Sequence, residues 1–317
     1  MTQNDVQPGR VYVVGAYLPN GGAYMAYRLG LILELDLGWK GVAVSVPGQG
    51  PANSIHRYDV VFPSISLETM EHAITSRDIL IANPSFSAHQ LGLRLAGRKL
   101  MYIQGFTTYG VLDCYFDHYV AVSGFVANFV SNLYGVKAPV IPPFIQLEDF
   151  PQPTEWLQRP PVSILVSAKS NDAILIRLRE LIAREAPDIK LDDVLSPLPH
   201  SNLIARLGSY RYLISLSPAD GFGLIPLEAM AMGTVVLGFD GFGGREYMKS
   251  GQNCLVTSYP DLEGLAHQVI AAVRDQALGQ RLSKEGRIAA QAYTYSRFRA
   301  AWHEEFRRFL QRLRPDA

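Results

Sequence analysis

Two carboxylates, Asp220 and Glu228, stand eight residues apart in "SPADGFGLIPLEAMAMG" (217–233). Carboxylates on either side of a glycine turn can accept hydrogen bonds from a polyhydroxylated ligand. Gly221 and Gly223 permit a tight turn and a close backbone approach. The apolar run "YRYLISLS" predicts a strand ending near Ser217, which puts Asp220 in the loop after it. Pro226 is expected as the first residue of a helix, where its missing N–H costs nothing. Glu228 then falls in the first helical turn, near the positive end of the dipole, and Gly233 closes the helix as a C-cap. Open amides at such a helix start suit an anion or a ring of hydroxyls. Taken singly, the aspartate is a turn former and the glutamate a cap worth about 1 kcal/mol or less. Neither explains the whole string.

Something must hold these groups, and the remaining sequence predicts alternating layers. "VYVVG" (Val11–Gly15), "VAVSV" (Val42–Val46), "DVVF", "DILIA", "KLMYI" and "YVAVS" read as buried strands. Several are followed by helical segments, as in "PNGGAYMAYRLGLILELDLGWK", where Met25, Leu29, Ile32 and Leu33 recur at helical spacing. Strands alternating with helices imply βαβ units and a parallel sheet. Residues 139–161 hold seven of the twenty prolines and predict an interdomain connector. Alternation resumes with "VSILVSA", the helix "DAILIRLRELIAREA", and the strands "YRYLISLS", "TVVLGF" and "NCLVT". Helices are expected over Leu262–Arg274, Leu278–Ala292 and Tyr295–Leu313. Ligands of such sheets bind at the carboxyl ends of the strands.

Composition narrows the function classes. The 317 residues are 48% hydrophobic and 18% charged, enough for large cores, and Lys+Arg and Asp+Glu balance at 29 each. That balance argues against a bulk nucleic-acid binder. Two cysteines, Cys114 and Cys254, make no disulfide framework and favour a reducing compartment. "MTQNDVQPGR" has no apolar core and predicts no secretory signal, and charges break the apolar runs before spanning length. A cytoplasmic protein is expected, with peripheral contact at a membrane inner face left open. The stripe Phe298, Trp302, Phe306 and Phe309, with Arg299, Arg307, Arg308, Arg312 and Arg314 nearby, reads as a helix docked on the core rather than a membrane face. No Walker A loop, GxSxG elbow, HExxH or paired CxxC is present.

The segment Asp220–Val256 resembles the hallmark of retaining GT-B glycosyltransferases, in particular family 4: an acid, "GFG", "EAMA" and a glycine, then "GGREYMKSGQNCLV". More weakly, "VVGAYLPNGGAYMAY" is similar to the family's N-terminal glycine loop, "APVIPPFIQLEDF" to its linker, and "YTYSRFRAAWHEEFRRFL" to its final helix. The resemblance implies an α/β, GT-B architecture of two facing Rossmann-like domains. They would be an acceptor-side domain (1–143), a proline-rich linker (144–161), a nucleotide-sugar-binding domain (162–294) and a C-terminal helix (295–317) crossing back to the first domain. It implies a metal-independent retaining transferase with no cofactor. A hexosyl or deoxyhexosyl group would pass from a nucleotide-diphosphate sugar to the hydroxyl of a glycan, lipid-linked or small-molecule acceptor, in polysaccharide or glycoconjugate biosynthesis.

The same resemblance assigns residues. Glu228 matches the glutamate that binds the nucleotide ribose. Asp220 matches the acid at the donor sugar, where the family usually has Glu. Amides of Gly221, Phe222, Gly223 and Leu224 would hold the sugar and phosphate side, and Gly21 and Gly22 match the loop that approaches the donor phosphates. Lys169, in "VSAKSND", fits the first basic phosphate ligand. The second is missing, and Arg177 lies eight residues on, in a helix pattern. No Asp-x-Asp pair offers a metal–diphosphate grip. Where the family often carries a histidine, the match puts Asn83, with Gln104 at the end of the next strand; neither is a general base. A lone histidine such as His89 or His118 is more often structural. Phe106, Tyr109, Tyr115, Phe116 and Tyr119 are candidates for an acceptor cleft or, more blandly, for core. Base recognition is expected near Pro197–Leu198. Two alternatives remain: a non-catalytic nucleotide-sugar-binding or regulatory protein of this fold, and a nucleotide-sugar epimerase of similar fold.

Overall fold

The computed structural model describes residues 8–169, 171–196 and 198–312. It divides into two compact units: residues up to Pro142 together with those from Ser296 onward, and Pro143–Tyr295.

The first unit is built on six strands: β1 (Arg10–Val14), β2 (Lys40–Val44), β3 (Ser64–Ile65), β4 (Ile79–Ala82), β5 (Arg98–Ile103) and β6 (His118–Ala121). They pair in parallel in the order β3-β2-β1-β4-β5-β6. In β1 and β4 nearly every side chain is buried, as expected for a parallel sheet covered on both faces. Helices α1 (Gly21–Leu37), α2 (Leu67–Ala73), α3 (Leu91–Arg94) and α4 (Gly124–Tyr134) supply the connections. The order reverses at β1, which has β2 on one side and β4 on the other. That is the switch point at which open α/β sheets bind ligands. The third strand, expected at "DVVF", forms just beyond it, as β3. Asp59–Phe62 runs as a loop whose backbone serves the tyrosines of the first layer: Val60 O accepts from Tyr27 Oη at 2.7 Å, and the Phe62 amide donates to Tyr17 Oη at 2.8 Å. An apolar run can thus be spent capping side chains instead of joining a ladder.

The second unit has β7 (Ser163–Ser167), β8 (Lys190–Val194), β9 (Tyr212–Ser215), β10 (Val235–Phe239) and β11 (Leu255–Thr257), parallel in the order β11-β10-β9-β7-β8. Around them lie α5 (Asp172–Glu185), α6 (His200–Leu207), α7 (Leu224–Ala231), α8 (Leu262–Arg274) and α9 (Gln276–Ala290). One core joins Ile164, Val166, Leu178, Ile214, Leu237, Leu265 and Leu282. Here the order reverses between β7 and β9. β8 escapes the sequence pattern because "KLDDV" lacks a β-branched run; it is an edge strand of this sheet. The proline-rich stretch is built into this unit. Arg159 is buried and its guanidinium donates to the carbonyls of Thr154, Tyr210 and Met232 and to Thr234 Oγ1. Burial holds its pKa down at about 10, with Arg287 adding to the effect.

The last helix, α10 (Tyr295–Arg312), packs its apolar stripe on the first unit. Phe298, Trp302, Phe306 and Phe309 are all buried, and the Trp302 ring meets Tyr102 edge to face at 5.0 Å. His118 Nε2 lies 2.8 Å from Glu305 Oε1, and Arg299 Nε lies 2.9 Å from Asp36 Oδ2. The stripe is therefore core, and His118 is a structural histidine. Arg314 lies outside the described residues. No helix among the described residues is long and apolar enough to cross a membrane.

Candidate nucleotide-sugar site

The switch point of the second sheet gathers the acids and the cation singled out from sequence. Lys169 follows β7 and Asp220 follows β9. Lys169 Nζ sits 2.5 Å from Asp220 Oδ1 and 2.6 Å from Oδ2. Lys169 holds this place with a left-handed backbone, φ 46°, a conformation that costs a non-glycine residue about 1 kcal/mol or more. Its side chain is 38% exposed and that of Asp220 20%. A pair this open to water is worth about 1 kcal/mol or less. A ligand that brings Lys169 an anion and Asp220 hydrogen-bond donors can therefore rearrange it.

The loop carrying Asp220 is clamped by "GFDGFGG". The Asp220 amide donates to Gly241 O at 2.8 Å, and the Gly243 amide donates to Asp220 O at 3.0 Å. A Cβ on Gly243 would lie 2.0 Å from Gly221 O, so only glycine allows the two loops to touch. Phe242, with φ 68°, makes the bend between them. Asp240 braces the turn by accepting from the Phe242 amide and from Arg245 Nε, both at 2.8 Å.

Helix α7 starts earlier than its sequence predicts. Gly223 is the N-cap, with φ 88°, and Leu224 is the first helical residue. Pro226 is therefore third and Glu228 fifth, in the second turn and not the first. The positive φ at Gly223 turns the chain into the helix two residues ahead of the proline. Gly223 has no side chain to cap the first turn, so the Leu224 end keeps the amide character that favours anions. The Phe222 side chain is buried between the rings of Tyr247 (5.2 Å) and Tyr293 (5.4 Å), which leaves its backbone as the part able to meet a ligand. Tyr247 also donates its hydroxyl to Gly223 O, fixing the cap. Burial pushes the Tyr247 phenol well above its usual pKa, and the nearby Asp220 charge adds to that.

Glu228 is buried, 6% exposed, and its Oε1 lies 2.7 Å from Nε2 of His200, the first residue of α6. Burial opposes charge on His200, but the hydrogen bond to Glu228 and its negative charge, with Asp149 adding, outweigh it and raise the histidine pKa above its ordinary value. His200 and Tyr247 were not read from sequence. Neither belongs to the acid–glycine string, and 28 residues separate His200 from Glu228. Pro197 lies outside the described residues. Arg177 is exposed on α5 and pairs with Glu180 at 2.9 Å, away from a role beside Lys169.

The first unit brings its own expected residues together. Gln104, just past β5, donates from Nε2 to Gly22 O at 2.8 Å. A Cβ on Gly22 would lie 2.6 Å from Gln104 Oε1, so a larger residue there would displace the glutamine side chain. Gly21 opens α1, capped by the Asn20 side chain accepting from the Ala23 amide at 2.8 Å. Asn83 follows β4; it is buried, and its Oδ1 accepts from the Ser85 amide at 2.9 Å to cap a short 3₁₀ helix. The amides of Asn83 and Gln104 are thus engaged with backbone. The aromatic candidates do not form one cleft: Phe116 and Tyr119 are buried, Tyr115 is 61% exposed, and Phe106 packs on Phe125 and Phe129.

Known proteins resemble the region that carries Asp220 and Glu228. Residues 193–289 match the family model "Glycosyl transferases group 1". The chain is similar to the GtfA subunit of the UDP-N-acetylglucosamine–peptide N-acetylglucosaminyltransferase of Streptococcus gordonii, 26% identical over 43% of this chain and 28% of that one. It is also similar to the poly(glycerol-phosphate) alpha-glucosyltransferase of Bacillus subtilis, 29% identical over 28% of this chain and 13% of that one. These alignments span under a third of either relative. Among solved structures, Anabaena HepE in complex with UDP-glucose superposes with a TM-score of 0.69 at 11% identity, over 94% of this chain and 99% of that one. Residues 193–289 thus match the glycosyl transferases group 1 model, in a chain whose fold is GT-B.

Proposed function

We propose that the protein is a retaining glycosyltransferase that moves a sugar from a nucleotide-diphosphate sugar to an acceptor hydroxyl, without a metal ion, in polysaccharide or glycoconjugate assembly. One observation carries the reading. Asp220, the Gly223–Leu224 helix start and Glu228 lie within the region matching the family model, and Lys169, which precedes that region, meets Asp220 at the switch point of the sheet. In this reading Glu228 accepts from the ribose hydroxyls and Asp220 from the donor-sugar hydroxyls. The amides of Gly221–Leu224 and Lys169 take the charge that develops on the diphosphate as its bond to the anomeric carbon breaks. The acceptor oxygen bonds to that carbon on the face the phosphate leaves, and its proton passes to the departing phosphate oxygen. No side-chain base is needed, consistent with Asn83 and Gln104 in the first unit, where the acceptor is assigned. The similar proteins are named for different acceptors, so the acceptor class here is set only as a hydroxyl.

The non-catalytic binder has one observation on its side: Asn83 and Gln104 spend their amides on backbone. Calorimetry with UDP, GDP and dTDP tests the site itself. The parent should bind at least one of them, and Glu228→Ala should weaken that nucleotide tenfold or more, about 1.4 kcal/mol, with Glu228→Gln intermediate. Unchanged affinity in a folded Glu228→Ala protein would remove the ribose assignment.

A further inference from the structure

We infer that the Lys169–Asp220 pair makes the site discriminate an intact nucleotide-sugar from the free nucleoside diphosphate left after transfer. The inference rests on the donor-site reading above. Both carboxylate oxygens of Asp220 lie within 2.6 Å of Lys169 Nζ, so the cation assigned to the diphosphate is already occupied. Any diphosphate must compete with Asp220 for it. What happens to Asp220 then depends on the ligand. An intact donor brings sugar hydroxyls that donate to the released carboxylate. A free diphosphate brings none, and it leaves Asp220 unpaired beside a terminal phosphate that carries a second charge near neutral pH, as phosphate monoesters do. A sugar-esterified phosphate cannot carry that charge.

The surroundings sharpen the contrast. The Asp220 main chain is held on both sides by Gly241 and Gly243, so the loop keeps the carboxylate within side-chain reach of Lys169. Lys169, on the loop after β7, pairs with that carboxylate, and Tyr247, whose phenol burial keeps neutral, lies near enough to feel its charge. Arg245, the nearest guanidinium in the clamping segment, is engaged with Asp240. Among the described residues, then, Lys169 is the cation paired with Asp220. Aspartate in place of a longer acid fits this compact contact. The consequence is relief of product inhibition: transfer of the sugar removes the donors that satisfied Asp220, and the spent diphosphate is pushed out as Lys169 returns to its carboxylate.

The test compares two classes of ligand on two proteins. UDP with UDP-glucose and UDP-N-acetylglucosamine, GDP with GDP-mannose, and dTDP with dTDP-glucose, are titrated by calorimetry into the parent and into Asp220→Asn. Each protein is checked for folding by its melting temperature. The parent should bind the intact donor about tenfold tighter than its diphosphate. Asp220→Asn should bind the diphosphate severalfold tighter than the parent does and the intact donor more weakly, reversing the preference. A misfolded protein would lose both ligands, so opposite changes are specific to this account. If Asp220→Asn binds the diphosphate no more tightly than the parent, the inference fails while the donor-site reading stands. If the parent binds none of these nucleotides, the reading fails and the inference with it.

Discussion

At the residue scale, a carboxylate's usefulness depends on what it meets before a ligand arrives. Glu228 meets His200 in a half-buried contact, and that pairing gives the site a pH dependence with a definite sign. The His200 pKa is raised in the folded chain, so its imidazolium stabilises the fold fully below the ordinary value near 6.5. The contribution is lost as pH rises through the folded value. A His200→Gln variant should therefore melt below the parent by a larger margin at pH 6 than at pH 9. Melting curves across that range check it, and a margin that does not change with pH would remove the charged pair. Asp220 and Glu228 were legible in sequence because their spacing and the glycines between them are local. His200 and Tyr247 were not, because a partner supplied by the start of another helix or by a later loop leaves no periodic trace. Lys169 was legible only through the resemblance; that its first partner is Asp220 follows from where the β7 and β9 loops emerge.

At the scale of elements, the strand–loop–helix order of the site was readable and its register was not. Pro226 pointed to a helix start, but Gly223, free to take a positive φ, starts the helix two residues sooner and carries Glu228 into the second turn. Alternation predicted most strands, missed β8 because its residues are charged, and placed the third at "DVVF" where the ladder forms just beyond it, at β3. The clamp between the Asp220 loop and "GFDGFGG" makes a sharper demand. Gly243→Ala would drive a Cβ to 2.0 Å from a backbone oxygen that no side-chain motion can clear. Destabilisation of about 2 kcal/mol or more is expected, together with loss of nucleotide binding. Denaturant unfolding of the variant measures this, and a parent-like midpoint would mean that the loops are not held as described.

At the scale of the whole molecule, two parallel sheets of different strand order each place their expected ligand residues at a switch point. The first collects Gly21, Gly22, Asn83 and Gln104, and the second Lys169, Asp220 and Glu228. Sequence alternation and the proline-rich stretch foretold two α/β layers. They did not foretell that the stretch would be anchored to the second unit through buried Arg159, since that depends on carbonyls contributed by Tyr210 and Met232. Ten α-helices and eleven strands among the described residues thus bring the expected residues to one edge of each sheet, and glycosyl transfer is the reading that uses both. The most direct measurement is proton NMR of the parent mixed with UDP-glucose, UDP-N-acetylglucosamine or GDP-mannose and simple alcohol and sugar acceptors. The account predicts equal amounts of nucleoside diphosphate and of a new glycoside whose anomeric proton keeps the donor's configuration. An inverted anomer, a donor epimerised without acceptor, or no diphosphate released from any donor would contradict it.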